Sequence, residues 1–343
     1  MELHFTHTNG PADDAIDRLM ELVGGIGRQE IVREMILAAL KAGQEDDQQA
    51  DLKLMNTSLK EMRFTAKVFG PYRHVKKVTV FGSARTRADE PLYNMAREMG
   101  RQLVANGYMV ITGGGPGIMQ AVNEGAGIEH SFGVNIRLPF EQKPNPVIDG
   151  NPRYIMYKYF FNRKVAFLKE AHAVILFPGG FGTLDEAMES ITLLQTGKRY
   201  SLPLILVDEP EGKYWSQCMT FFKNELLQRG FISDSDFNLF ERADSIEKAI
   251  DRINRFYRCY HSLRYVKDQL VIRLKRSPEM ERIRELKMQF ADILRPGGDM
   301  TLAAAFPEED DEPEIAHLPR LVVDFNQGNF GRLRQLIDAL NAG

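Results

Sequence analysis

The sequence predicts an α/β protein: a doubly wound parallel sheet with a helical N-terminal extension and an α+β C-terminal extension. Two observations predict it. Short apolar runs alternate with helix-length amphipathic segments from about Lys76 to Tyr260, and three of those runs are followed by glycine-rich loops. Such alternation requires crossover connections, which set strands side by side in parallel with helices over both faces. Changes of texture divide the chain into a helical extension (1–72), a core (73–260) and a C-terminal extension (261–343) with an acidic linker at 308–314.

In the first segment, Ile31, Val32, Met35, Ile36, Ala39 and Leu40 recur at helical spacing and Gly43 supplies a stop. A second stripe runs through Leu52, Met55, Leu59, Met62 and Ala66, closed by Gly70-Pro71. These helices read as a cap for a core or a partner subunit. In the core, Val78–Phe81, Met109–Thr112, Ser131–Ile136, Ala173–Phe177 and Leu204–Val207 read as strands. Helices are expected over Pro91–Asn106, Pro116–Asn123, Tyr154–Glu170, from the loop at 178–183 through Gln195, Lys213–Leu227 and Ile246–Phe256. Residues 138–152 are too rich in proline for a regular element. Arg320–Phe325 reads as a strand and Asn329–Asn341 as a final helix.

Composition narrows the class. With 343 residues, 43% of them apolar, the chain can bury a sizeable core. A net charge of −3 argues against a nucleic-acid or anionic-membrane binder. Between Arg252 and Lys287 eleven Lys or Arg stand against four acids, which reads as a solvated or subunit-facing surface; the six carboxylates of 308–314 read as solvated. No apolar run approaches the roughly 20 residues that span a bilayer. The polar N-terminus lacks the pattern of an export signal. Two cysteines, Cys218 and Cys259, make neither a disulfide framework nor a cysteine-rich zinc site, and the seven histidines form no metal-spaced pair. A cytoplasmic protein without a metal is the expectation.

Open parallel sheets bind ligands beyond the carboxyl ends of their strands. Three loops there are glycine-rich: Gly82-Ser83-Ala84-Arg85, Gly113-Gly114-Gly115-Pro116-Gly117 and Pro178-Gly179-Gly180-Phe181-Gly182-Thr183. Glycine lets backbone N–H groups approach an anion, and the helix N-terminus behind adds partial positive charge. Neither the Walker loop nor the dinucleotide fingerprint is matched. Thr183 and Glu186, one helical turn apart, suit a ligand with an anionic end and a hydroxyl-rich or cationic centre. Asp185 is expected to point elsewhere, since adjacent helical residues diverge by about 100°. The preceding helix carries Arg163 and Lys164, close enough in sequence to Glu186 for Arg163 to face the same pocket.

PGGFGTLDE (178–186) resembles the PGGxGTxxE signature of the LONELY GUY family, Rossmann-like proteins often mislabelled lysine decarboxylases. GSAR (82–85), GGGPGIM (113–119), Asn-Arg-Lys (162–164) and LPFEQ (138–142) with Asn145 extend the resemblance over about residues 75 to 257. It implies hydrolysis of the N-glycosidic bond of nucleoside 5′-monophosphates, of AMP or cytokinin riboside monophosphate type, to free base and ribose 5-phosphate. By position it implies that Arg163 and Glu186 are the catalytic pair and that Gly179, Gly180, Gly182 and Thr183 cradle the phosphate. It further implies ligand contacts at Ser83, Glu141 and Lys164, and assembly into at least a homodimer. With Gly82, Gly114 and Gly115 these complete the expected site, with no cofactor. Two departures stand out. GSARTRADEPLY replaces a serine- and glycine-rich first loop, leaving Arg85 free to touch phosphate or base, and the chain extends well beyond the compact family core on both sides. A second function stays open: the same pocket could hold a nucleotide or phosphorylated cofactor without turnover, as in molybdenum-cofactor carriers of this architecture. Lysine decarboxylation would need a pyridoxal phosphate Schiff base that the chain has no evident room to build.

Overall fold

A computed structural model describes residues 7–45, 48–139 and 143–342. The chain forms two compact units, Met1–Arg63 and Phe64–Gly343.

The first unit contains α1 (Pro11–Val23), α2 (Gln29–Glu45) and most of α3 (Gln49–Phe69). Ile16, Met20 and Leu37 form its small apolar cluster. Arg33 is buried there, paired with Asp13 and, at 3.2 Å, with Asp17. The apolar stripes seen in the sequence are largely unburied: Ile31, Met35, Leu40, Met55, Leu59 and Met62 are all exposed.

The second unit contains β1 (Lys77–Phe81), α4 (Pro91–Ala105), β2 (Met109–Thr112), α5 (Ile118–Ala126), β3 (Ser131–Ile136), β4 (Tyr154–Tyr157), α6 (Phe160–Lys169), β5 (Ala173–Leu176), α7 (Phe181–Gln195), β6 (Leu204–Val207), α8 (Tyr214–Phe221), β7 (Glu241–Ala243) and α9 (Ile246–Phe256). The strands form one seven-stranded sheet in the order β4-β3-β2-β1-β5-β6-β7, every neighbouring pair parallel. Val78 and Val80 pack with α4, α5 and α9 on one face; Phe81, Val174 and Leu176 pack with α6, α7 and Trp215 of α8 on the other. A sheet buried on both faces explains why its central strands read as unbroken apolar runs. The doubly wound α/β expectation holds.

Two elements depart from the sequence reading. Tyr154–Glu170, expected as one helix, splits into β4 and α6. Ile155 and Tyr157 are buried while Met156 is exposed, the period-two pattern of a sheet edge, and Ile155 registers with Val134 of β3. The helix expected over Lys213–Leu227 leaves α geometry after Phe221 and ends as a π-helical turn, Phe222–Leu227.

Beyond the core lie β8 (Tyr260–Val266), β9 (Gln269–Leu274), α10 (Met280–Gln289), β10 (Met300–Ala303), β11 (Arg320–Val323) and α11 (Phe330–Ala342). The four strands form an antiparallel sheet in the order β10-β11-β9-β8. Leu263, Leu270, Ile272, Leu321 and Leu336 share one apolar cluster with Val78, Val110 and Ile253 of the core.

The acidic stretch 308–314 is solvated only in part: Glu308, Asp310, Asp311 and Glu314 are exposed, but several of its carboxylates are paired. Glu309 is buried, with Arg273 at 2.7 Å and Arg320 at 3.2 Å; Glu312 lies 2.6 Å from Arg273, Asp311 lies 2.8 Å from Arg264, and Glu308 lies 2.8 Å from Lys267. The basic excess of 252–287 therefore meets much of its counter-charge within the chain. Buried guanidinium groups need paired carboxylates, and this strand-rich region draws them from the acidic run. Among the described residues, no helix is long and apolar enough to cross a membrane.

Candidate active site

From the central pair β1 and β5 the strand order runs outward in both directions, β2-β3-β4 one way and β6-β7 the other. Reversal at this pair leaves a crevice beyond the carboxyl ends of the two strands. A cleft of about 750 Å³ occupies it, lined among others by Gly82, Ser83, Arg85, Gly113, Arg163, Gly179, Gly180, Gly182, Thr183 and Glu186.

The loops after β1 and β5 are stitched together, the Ser83 N–H donating to the Pro178 carbonyl at 3.0 Å. Ser83 also accepts from the Ile118 amide through its carbonyl, and from the Arg85 amide through Oγ, both at 3.0 Å. Its polar groups thus shape the loop. The Arg85 side chain stands exposed at the rim.

After β5 the chain turns into α7 at Gly180. The amides of Thr183 and Leu184 both donate to the Gly180 carbonyl, leaving those of Phe181 and Gly182 without an intrahelical acceptor. These amides, with the dipole of a 15-residue helix behind them, form an anion cradle. Gly179 is held tightly, since a Cβ there would lie 2.1 Å from Thr183 Oγ1 and 3.0 Å from the Ser83 nitrogen. Its carbonyl accepts from the Tyr214 hydroxyl at 2.7 Å. Tyr214 lines the cleft and was not anticipated, because an aromatic at a helix start carries no sequence signal of its own.

One turn into α7, Glu186 is buried and its Oε2 has no hydrogen-bond partner among the described residues. Burial pushes its carboxyl up to about 7, against the pull of Lys164 and Arg163. From α6, Arg163 donates through Nε to the Val134 carbonyl at 3.0 Å, and its guanidinium lies 5.0 Å from the Phe167 ring centroid. Burial lowers its pKa, and Glu186 opposes that shift. The loop after β2 makes room for this arginine: a Cβ on Gly113 would sit 2.7 Å from Arg163 Nη2.

The remaining expected residues are placed differently. Gly114, at φ +70°, donates to Thr112 Oγ1 at 3.0 Å and accepts from the Asn145 amide at 2.8 Å. Gly115 accepts from Asn145 Nδ2 at 3.0 Å. Neither glycine lines the cleft; their groups are spent holding the loop to Asn145. Lys164 does not line it either, and its ammonium lies 2.8 Å from Asp185, 2.8 Å from Glu189 and 3.7 Å from Glu186. Asp185, expected to point elsewhere, is exposed yet lines the cleft and meets Lys164, whose long stem spans both positions. Glu141 lies outside the described residues. Phe160 and Phe181 flank the mouth, Phe181 at 93% exposure.

An anion cradle, a guanidinium and a carboxyl that titrates near neutrality thus share one cleft. Such a set can anchor an anionic ligand, orient it and move a proton.

The model of a family described as possible lysine decarboxylase matches residues 118–253. A pyrimidine/purine nucleotide 5′-monophosphate nucleosidase of Escherichia coli K12 is 32% identical over 157 residues, covering 42% of this chain and 34% of that protein. The chain therefore spans about a third of that relative's length. A probable cytokinin riboside 5′-monophosphate phosphoribohydrolase of Oryza sativa subsp. japonica is 27% identical over 185 residues, covering 53% of this chain and 84% of that protein. The solved molybdenum cofactor carrier protein of Chlamydomonas reinhardtii is 19% identical, covers 53% of this chain and 97% of its own, and superposes with a TM-score of 0.37.

Proposed function

We propose, starting from a core similar to that of the LONELY GUY family, that this chain hydrolyses nucleoside 5′-monophosphates to free base and ribose 5-phosphate. The observation that carries the reading is Glu186: buried, unpaired at Oε2, and one turn beyond the anion cradle in the cleft that Arg163 enters.

In this reading the 5′-phosphate sits on the Phe181 and Gly182 amides, with the Thr183 hydroxyl beside them. That anchors a non-reacting part of the substrate and orients the sugar. Arg163 adds charge-assisted hydrogen bonds to phosphate or ribose. As the C1′–N bond lengthens, its electron pair leaves with the base and positive charge grows on the ribose, the kind of transition state carboxylates stabilise in glycosidases. Ionised Glu186 offsets that charge and accepts a proton from the water whose oxygen bonds to C1′; delivery of that proton to the departing base nitrogen gives the neutral free base and restores the carboxylate. A carboxyl balanced near neutrality serves this step, because it is ionised often enough to act and basic enough to take the proton. Decarboxylation through a lysine Schiff base finds no nucleophile here, since no lysine lines the cleft among the described residues.

The test is release of free base from a panel of purine, pyrimidine and cytokinin nucleoside monophosphates, followed by chromatography with ribose 5-phosphate assayed in parallel. Equimolar base and sugar phosphate are expected. Absence of base from every substrate tried, with nucleotide still bound, would replace the hydrolase by a carrier.

A further inference from the structure

Lys164 resembles a ligand contact by its place in the Asn-Arg-Lys motif, yet it is not among the residues that line the cleft, and its ammonium sits among a trio of carboxylates on a single helix. Asp185 and Glu189 hold it at hydrogen-bonding distance, both 2.8 Å, from the two sides of Glu186 in sequence. Glu186 itself stays at 3.7 Å, too far for a hydrogen bond and near enough for strong attraction in a buried setting.

We propose that Lys164 is a positioning residue, clamped by Asp185 and Glu189 so that its charge keeps Glu186 ionisable without capping that carboxyl with a hydrogen bond. The reasoning is electrostatic. Three carboxylates within the first turns of α7 repel one another, and the most buried of them would protonate first. One ammonium held by the two outer acids offsets that repulsion without capping the inner one. A shorter Lys164–Glu186 contact would have taken up the lone pair that Glu186 needs for water or ribose. The charged groups facing Glu186 are Lys164 and Arg163 from α6 and Asp185 and Glu189 from α7, with Arg85 across the cleft. Arg163 cannot replace Lys164, being tied to the Val134 carbonyl and packed on Phe167.

The proposal rests on Glu186 as the reacting carboxyl, but its test does not need turnover. In protein labelled with 13C at glutamate carboxyls, the Glu186 signal is identified by its loss in Glu186→Gln and titrated in wild type, Lys164→Met and Lys164→Arg. Lys164→Met is expected to raise the Glu186 midpoint by about one pH unit or more, a tenfold change in proton affinity. Lys164→Arg should restore most of it. Glu189→Gln, which removes a repelling charge and frees Lys164 toward Glu186, should lower the midpoint, and it covers the case where Lys164→Met fails to fold. An unmoved midpoint in folded Lys164→Met, or a rise in Glu189→Gln, overturns the proposal. A moved midpoint in a protein that releases no base upholds it and removes the hydrolase reading alone.

Discussion

The Glu309 carboxylate accepts from the Arg273 guanidinium at 2.7 Å, with both side chains withdrawn from solvent. Arg320 approaches the other carboxylate oxygen at 3.2 Å, and the Phe306 amide donates to it at 3.0 Å. A short acidic segment is thereby fastened to β9 and β11, at their Arg273 and Arg320 positions.

Removing one partner of such a buried set leaves the others charged and unsatisfied, which typically costs about 3–5 kcal/mol. Glu309→Gln should therefore lower urea stability by an amount in that range. Burial alone would raise the Glu309 pKa, but the Phe306, Arg320 and Arg273 hydrogen bonds hold it below its ordinary 4.5. A lowered carboxyl pKa contributes stability above the unfolded value that is lost as pH falls through the folded one. The gap between wild type and Glu309→Gln should thus be full at pH 7 and narrow below about pH 4.5. A gap that stays constant to pH 3 would count against the pairing.

Glu186 has the opposite sign. Its folded pKa lies near 7, above the ordinary 4.5, so the native state binds the extra proton and stability declines as pH rises between those values. At about 1.4 kcal/mol per unit, that displacement sets an upper scale of about 3 kcal/mol. Glu186→Gln should melt higher than wild type at pH 8 and nearly level with it at pH 4.5. The same variant should lose about 10²–10⁴ in turnover on nucleoside monophosphates. A variant that gains no stability at pH 8 would show that Glu186 is not held in an uncomfortable place.

How much of this was legible depends on whether the cause was local. β1, β2, β3, β5 and β6 were readable because strands covered on both faces must be continuously apolar. The edges were not. β4 alternates as Tyr-Ile-Met-Tyr, which over four residues also fits a helix, and β7 is Glu-Arg-Ala with only Ala243 buried. The glycine-rich loops and the Thr183–Glu186 spacing pointed to the cleft, since both are features of one loop and one turn. The reasons behind individual glycines were hidden: Gly113 clears space for Arg163, fifty positions later, and Gly114 and Gly115 bind Asn145. The pairing of Arg273 with Glu309 was likewise invisible, because composition shows a basic run and an acidic run but not the fold that joins them.

Gly125 separates packing from function. A Cβ there would lie 1.8 Å from the Arg97 carbonyl, and one on Gly100 would lie 2.1 Å from the Val122 carbonyl, so α4 and α5 meet backbone to backbone. Backbone cannot swing aside as a side chain can. Gly125→Ala should cost about 1–3 kcal/mol or more by overpacking, measured by chemical denaturation. The surviving folded fraction should keep its KM for nucleotide, because Gly100 and Gly125 stand outside the cleft lining, to which this helix pair contributes Met119 at the far end of α5. A neutral substitution would mean that the two helices can separate freely.

Gly113 offers the complementary case. A Cβ there would meet Arg163 Nη2 and Met119 Sδ, both at 2.7 Å and both ends of flexible side chains. The fold can therefore absorb Gly113→Ala while the guanidinium is displaced. Misplacing a positioned group by about 1 Å can cost 10²-fold in rate. Gly113→Ala should accordingly lose about tenfold to a hundredfold in kcat/KM, with a stability change below about 1.5 kcal/mol. Arg163→Lys, which keeps the charge but shortens its reach and gives up the planar fork, should lose a similar factor. Combined, the two changes should cost little more than either alone, since both act on one guanidinium. Fully multiplicative losses in the double variant would show that Gly113 acts on the reaction by a route other than Arg163.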